Sequence, residues 1–134
     1  MKGVLVDSIV ILDVFLDDMQ WADWSESMLD KYSTQTSLYI NGIIYSEISI
    51  GFEKIEDLEY SISRAGFQLI EIPKEALFLA GKAFLKYKKR KGSKTTPLPD
   101  FFIGAHAATF GLDLLTRDIS RYKSYFPTVK LITP

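Results

Sequence analysis

The sequence predicts an α/β fold, a mainly parallel sheet covered on both faces by helices. Short apolar runs (Val4-Leu5-Val6, Leu38-Tyr39-Ile40, Leu112 to Leu115) alternate with stretches of helical periodicity. Consecutive apolar residues, rather than alternating ones, mark strands buried on both faces. Helix-start residues follow directly on two of these runs, Asp7-Ser8 after the first and Asn41 after the second. The 134 residues, 47% hydrophobic and 25% charged, suit one ordinary globular domain spanning 1–134.

Each element has its own signal. Val4 to Val6 reads as a strand and Ile9 to Leu16 as the helix behind it. Trp21 to Tyr32 places Trp21, Trp24 and Met28 at helical spacing with charges opposite. Leu38 to Ile40 is a second strand, and Asn41 caps a helix running to about Ile50, with Gly51 as its stop. Ile55 to Ala65 is a helix ended by Gly66, and Phe67 to Ile72 a strand. Pro73 suits the first helical position of a helix over Lys74 to Arg90. Gly92 to Pro97 is the one loop rich in Gly, Ser, Thr and Pro, too short for an interdomain linker. Pro99-Asp100 begins a helix that Gly111 ends, and Leu112 to Leu115 and Val129 to Ile132 are the last strands.

Composition excludes several function classes. There is no cysteine, hence no disulfide framework, thiolate chemistry or Cys-ligated zinc, which fits the cytoplasm. No 18-residue apolar run exists to span a membrane, and the apolar start is interrupted by Asp7 and Asp13, unlike a signal peptide. The net charge of −1 argues against a globally basic nucleic-acid binder, yet it hides an asymmetry. Residues 1–63 hold 12 acids against three lysines, whereas Lys82, Lys86, Lys88, Lys89, Arg90, Lys91 and Lys94 cluster in a stretch without acids. Such a strip is usually a solvated helix end; beside an active site it becomes a path for a phosphate backbone.

Four acids are oddly placed for surface residues. Asp7 ends the first strand, Glu47 lies among Ile43, Ile44, Tyr45, Ile48 and Ile50, Asp100 opens an apolar helix, and Asp118 follows Leu114-Leu115-Thr116. Strand ends and helix N-termini share one edge of an α/β sheet, so Asp7, Asp100 and Asp118 can converge there with Glu47 reaching in. As isolated residues, Asp7 and Asp100 are equally explained as helix caps or first-turn acids. As a group they would repel one another unless a hard cation such as Mg²⁺ or Mn²⁺ joined them. A water on that ion, with its pKa lowered, could attack a phosphodiester.

These residues resemble a PIN-domain ribonuclease, specifically a VapC-type toxin of a type II toxin–antitoxin pair. The matching segments are Val6-Asp7-Ser8 with Ile11-Leu12-Asp13, Ile44 to Ile48, Leu98 to Ala107, and Leu114 to Asp118, followed by Arg121-Tyr122, Tyr125-Phe126-Pro127 and Leu131-Ile132. The resemblance implies a three-layer α/β/α sandwich and Mg²⁺- or Mn²⁺-dependent cleavage of RNA by an acidic quartet, here Asp7, Glu47, Asp100 and Asp118. It implies support from the Thr116 hydroxyl, a homodimer, and a cognate VapB-type antitoxin that plugs the site. One position departs: the family usually carries Asn two residues after the first Asp, and this chain has Ile9. Isoleucine cannot orient the acids by hydrogen bonding. The alternative is therefore a degenerate PIN fold that binds RNA or a protein partner without cutting.

Other residues receive plainer readings. His106 and Asp13 each stand six residues from an acid of the quartet, off any shared helical face, so His106 reads as structural and Asp13 as a capping or pairing acid. Trp21, Trp24 and Met28 read as core, with a partner surface as the second choice. Arg117 and Arg121 either contact RNA phosphates or pair with acids. Lys88, Lys89 and Arg90 lead into the loop before Asp100 and are the candidates for guiding RNA, with Arg117 beside them. A phosphotransfer domain is the rival enzyme, but its lysine after a later strand is missing, since Lys130 falls within a strand candidate.

Overall fold

The computed structural model describes residues 1–90 and 98–134, so the expected loop Gly92 to Pro97, together with Lys91 and Lys94, lies outside the described residues. Among the described residues the elements run β1 (Val4–Val6), α1 (Ser8–Phe15), α2 (Ala22–Ser33), β2 (Leu38–Ile40), α3 (Gly42–Ile48), α4 (Ile55–Ala65), β3 (Phe67–Leu69), α5 (Lys74–Lys89), α6 (Leu98–Phe110), β4 (Asp113–Leu115), α7 (Ile119–Tyr125) and β5 (Leu131–Ile132). The five strands form one sheet in the order β3-β2-β1-β4-β5, every pairing parallel.

The central strands are dry, as their unbroken apolar runs require: Leu5, Val6, Ile40, Leu114 and Leu115 are fully buried. The chain winds outward through β2 and β3, then returns across the sheet to β4 and β5. With the usual right-handed crossovers, connections running in opposite directions across the sheet are expected to cover opposite faces. The direction of winding reverses between β1 and β4, which opens a crevice beyond their carboxyl ends.

Several boundaries differ from those the sequence suggested, each for a local reason. The helix after Asn41 ends at Ile48 and tightens into a 3₁₀ turn over Ser49–Gly51. Strand β3 stops at Leu69 rather than Ile72, because its partner β2 ends at Ile40 and leaves no ladder beyond. Pro73 is the residue flanking α5 rather than its first helical residue, its carbonyl accepting from Ala76 and Leu77. Strand β5 is confined to Leu131–Ile132, paired with Leu114 and Leu115 alone. Helix α7 has no counterpart among the expected elements. Two glycines fit as anticipated: Gly66 ends α4 at φ 78° and Gly111 follows α6 at φ 65°. Within α6, Gly104 lets the Phe126 ring pass so closely that an added Cβ would stand 2.3 Å from it.

Candidate active site

The crevice at the β1/β4 switch is a cleft of about 650 Å³ lined by Asp7, Glu47, Asp100 and Asp118, together with Ser8, Ile9, Arg117, Ile119, Ser120 and Arg121. Four different elements deliver the acids: the end of β1, the face of α3, the first turn of α6, and the residue that caps α7. Asp118 both caps α7 and lines the cleft: its Oδ1 accepts from the Arg121 amide while its Oδ2 pairs with Nε of the same residue.

Shared hydrogen-bonding side chains string the carboxylates together. The Ser8 hydroxyl lies 2.9 Å from Glu47 Oε1 and 3.4 Å from Asp7 Oδ1. The Tyr122 phenol lies 3.2 Å from Asp7 Oδ2 and 3.3 Å from Asp100 Oδ1. Thr116 donates to Asp7 Oδ2 at 2.7 Å and accepts from the Asp118 amide at 3.0 Å. Arg121 donates through Nη1 to Asp100 Oδ2, and its Nε lies 3.1 Å from Asp118 Oδ2. Asp7 is the hub of this chain of contacts and is only 5% exposed.

Electrostatics follow from the packing. Burial pushes the Asp7 carboxyl up to about 6; the charges of Asp100 and Glu47 add to the rise, while Thr116 and Tyr122 oppose it. Burial also raises Glu47, against the Ser8 hydrogen bond and with the Asp100 charge. Asp100 is raised by burial and held back by Arg121. Tyr122 is buried between two carboxylates and pushed well above its usual value, so it stays a donor. Its one proton serves Asp7 or Asp100, and both contacts are satisfied together only when one of those carboxyls is protonated.

Among the described residues, no three acids or histidines stand close enough to enclose one ion by themselves. The donor set still suits a hydrated hard cation. Magnesium takes one or two carboxylates directly and keeps its waters, through which the remaining acids can act. Arg117 is paired with Asp13, so four carboxylates balanced by Arg121 alone leave an excess of negative charge that a divalent ion would neutralise.

The other candidates fall elsewhere. Arg117 lines the cleft but is engaged by Asp13, at 2.8 Å from Nε and 2.9 Å from Nη2, so the pairing expected of Asp13 holds. His106 is fully buried and pulled down to about 4 by desolvation. Asn41 fixes its tautomer. The Asn41 carbonyl oxygen caps α3 at Ile44, so its Nδ2 donates to His106 Nδ1 at 3.0 Å and the ring proton sits on Nε2, which is buried without a hydrogen-bond partner among the described residues, while the ring packs on Phe110. That is the structural role the spacing suggested. Lys88 lies over Phe84, and Arg90 over Tyr125 of α7. Trp24 and Met28 pack on the core, while Trp21 lies beneath Arg117. Ser8 and Tyr122 were not among the sequence candidates. The orienting contact that Ile9 cannot make is supplied to Glu47 by its neighbour Ser8.

Comparison with known proteins agrees with this fold. No curated protein matches the chain significantly in sequence. Solved structures do match its fold: VapBC2 from Rickettsia felis bound to a promoter DNA fragment (16% identity, 99% of this chain and 98% of that one, TM-score 0.75); a toxin–antitoxin complex from Klebsiella pneumoniae (21%, 98% of each chain, 0.71); and DNA-bound VapBC from Salmonella typhimurium (20%, 99% and 98%, 0.70). The model of the PIN domain matches residues 4–124, nearly the whole length from β1 through α7. With its acids at the switch point of a five-stranded parallel sheet, this chain belongs to the PIN domain family.

Proposed function

We propose that this protein is a Mg²⁺- or Mn²⁺-dependent endoribonuclease, the toxin of a VapC-type toxin–antitoxin pair acting in the cytoplasm. One observation carries the reading: Asp7, Glu47, Asp100 and Asp118 arrive from four elements on one cleft and are linked by Ser8, Thr116, Tyr122 and Arg121. Links of this kind hold carboxylates where their mutual repulsion would otherwise drive them apart.

Asp7, Glu47, Asp100 and Asp118 would hold the ion, directly or through its waters. A bound Mg²⁺ or Mn²⁺ supplies a water of lowered pKa and positive charge for the leaving oxygen of a phosphodiester. The chain's own contribution is positional. Thr116 and Tyr122 fix Asp7, and Ser8 fixes Glu47, so that the oxygens keep one arrangement through the reaction. Lys88, Lys89 and Arg90 lie at the end of α5, where Arg90 packs on the helix that carries Arg121, and are assigned to the RNA backbone, whereas Arg117, the other candidate, is taken up by its pair with Asp13.

A cognate VapB-type antitoxin and a homodimer are proposed with this reading. Fold neighbours at 16–21% identity were solved as toxin–antitoxin complexes, two of them with DNA. No helix among the described residues is long and apolar enough to cross a membrane.

The test is cleavage of total RNA by purified protein with Mg²⁺ or Mn²⁺ and with chelator, beside Asp100→Asn. Metal-dependent cutting that the variant loses by at least about a hundredfold supports the reading. Cutting that survives in the variant points to a contaminant. RNA binding without any cutting favours the non-cleaving PIN fold, for which Ile9 in the cleft wall is the supporting observation.

A further inference from the structure

Arg121 does not behave as an ordinary surface residue. Its guanidinium joins Asp100 and Asp118, two of the four carboxylates that line the cleft, through two different nitrogens. The next residue, Tyr122, is 1% exposed and anchors α7, whereas the Arg121 side chain is 43% exposed. The backbone is thus fixed while the charged head is free to leave. Arg117 is committed to Asp13, and Arg90 and Lys88 sit on aromatic rings. Among the described residues, Arg121 is therefore the cation in ion-pair contact with the acids of the cleft.

Resting on the metallo-ribonuclease reading above, we infer that Arg121 is an exchangeable clamp: it ties Asp100 to Asp118 before metal binds, yields those oxygens to the ion, and then grips the phosphodiester. A guanidinium and a divalent ion are both drawn to these carboxylates and repel each other across them, and the doubly charged ion is the stronger competitor. The displaced fork remains at the cleft wall, where its parallel N–H donors match two phosphate oxygens. From the cleft wall the Arg121 guanidinium would neutralise charge that grows on a phosphodiester in the transition state.

The experiment measures two quantities that a merely structural tie would move together. Mn²⁺ affinity is read by electron paramagnetic resonance without RNA, and single-turnover cleavage of a labelled RNA at saturating Mn²⁺, for the wild type, Arg121→Gln and Arg121→Lys. Thermal melting by circular dichroism verifies folding. The inference expects Arg121→Gln to bind Mn²⁺ about tenfold more tightly, since two exposed ion pairs no longer compete, yet to cleave about a hundredfold more slowly. Arg121→Lys keeps the charge but not the fork, so its Mn²⁺ affinity stays near wild type while cleavage remains slow. Unchanged or weaker Mn²⁺ binding in Arg121→Gln overturns the clamp. In that event, wild-type Mn²⁺ binding that Asp100→Asn loses leaves the metal reading standing. Absence of Mn²⁺ binding in both the wild type and Arg121→Gln overturns both.

Discussion

Arg117 and Arg121 flank Asp118 at a distance of one and three residues, and their surroundings differ completely. Arg117 makes a bidentate pair with Asp13, which is 4% exposed at its side chain and also accepts from Ser25 at 2.7 Å; Trp21 covers the guanidinium with its ring 4.7 Å away. One cation meets one carboxylate there, and every partner comes from α1, α2 or their junction. Arg121 is half exposed and faces an excess of carboxylates. The first arginine is spent on holding the loop between β4 and α7 against the rest of the fold. The second remains available because its partners carry more negative charge than it can neutralise. Charge balance, more than distance from the cleft, separates scaffold from chemistry here.

The largest contrast should appear in stability. Arg117→Ala strands the Asp13 carboxylate in a dry site and is expected to cost about 3 kcal/mol, as for a buried pair broken on one side. Arg121→Ala, at an exposed pair, should change stability by less than about 1 kcal/mol. Urea unfolding in chelator measures both; equal losses would dissolve the distinction.

Next come the acids themselves. Asp13→Asn should destabilise by about 2 kcal/mol, because it weakens a satisfied charged pair. Asp7→Asn should do the reverse at neutral pH. The native Asp7 carboxyl is held near 6 against 3.8 for an unperturbed group, so between those values the folded state binds more protons than the unfolded one. The contribution of Asp7 to stability in the absence of metal is therefore greatest below pH 4, declines as pH rises to about 6, and is flat beyond. Removing that charge is expected to stabilise the metal-free protein by about 2 kcal/mol at pH 7.5 and by almost nothing at pH 3.5. Unfolding curves at the two pH values, with the same gain at both, would contradict the assignment.

A smaller effect sharpens the contrast with a third class of cation. Neutralising Lys88, Lys89 and Arg90 together should lower the salt dependence of RNA binding by about two in its logarithmic slope. An unchanged slope across a salt titration would leave the strip as a solvated helix end. Smallest of all, Ile9→Asn should raise the initial rate of cleavage by only about twofold, since Ser8 already orients Glu47. A tenfold rise would mean that Ser8 does not do so.

Much of this was legible in the chain because local signals agreed with the fold. Gly66, Asn41 and the apolar runs at Val4 and Leu38 marked elements that the structure contains, and the acids stood out because each interrupts or ends an apolar segment. Helix α7 was not legible. Seven residues with a single fully buried side chain, Tyr122, do not establish a period, and Asp118 read as an acid just past a strand end rather than as the cap of a helix. The linking residues escaped for a different reason. Tyr122 reaches Asp7 across 115 positions and Ser8 reaches Glu47 across 39, and no pattern along the chain records which side chains the sheet will bring together. Serine beside an acid and tyrosine in a short polar segment are too common to single out in advance.

In the proposed function the four carboxylates act as one cation-binding unit with Asp7 at its hub. Titration of the Asp7 side-chain carboxyl by carbon-13 nuclear magnetic resonance, with and without Mg²⁺, tests it most directly. The account predicts an apparent pKa of about 6 in chelator and a fall to the ordinary carboxylate range or lower when Mg²⁺ is added. A midpoint unmoved by Mg²⁺ would contradict it, since a cation held by these acids cannot leave the proton affinity of their hub unchanged.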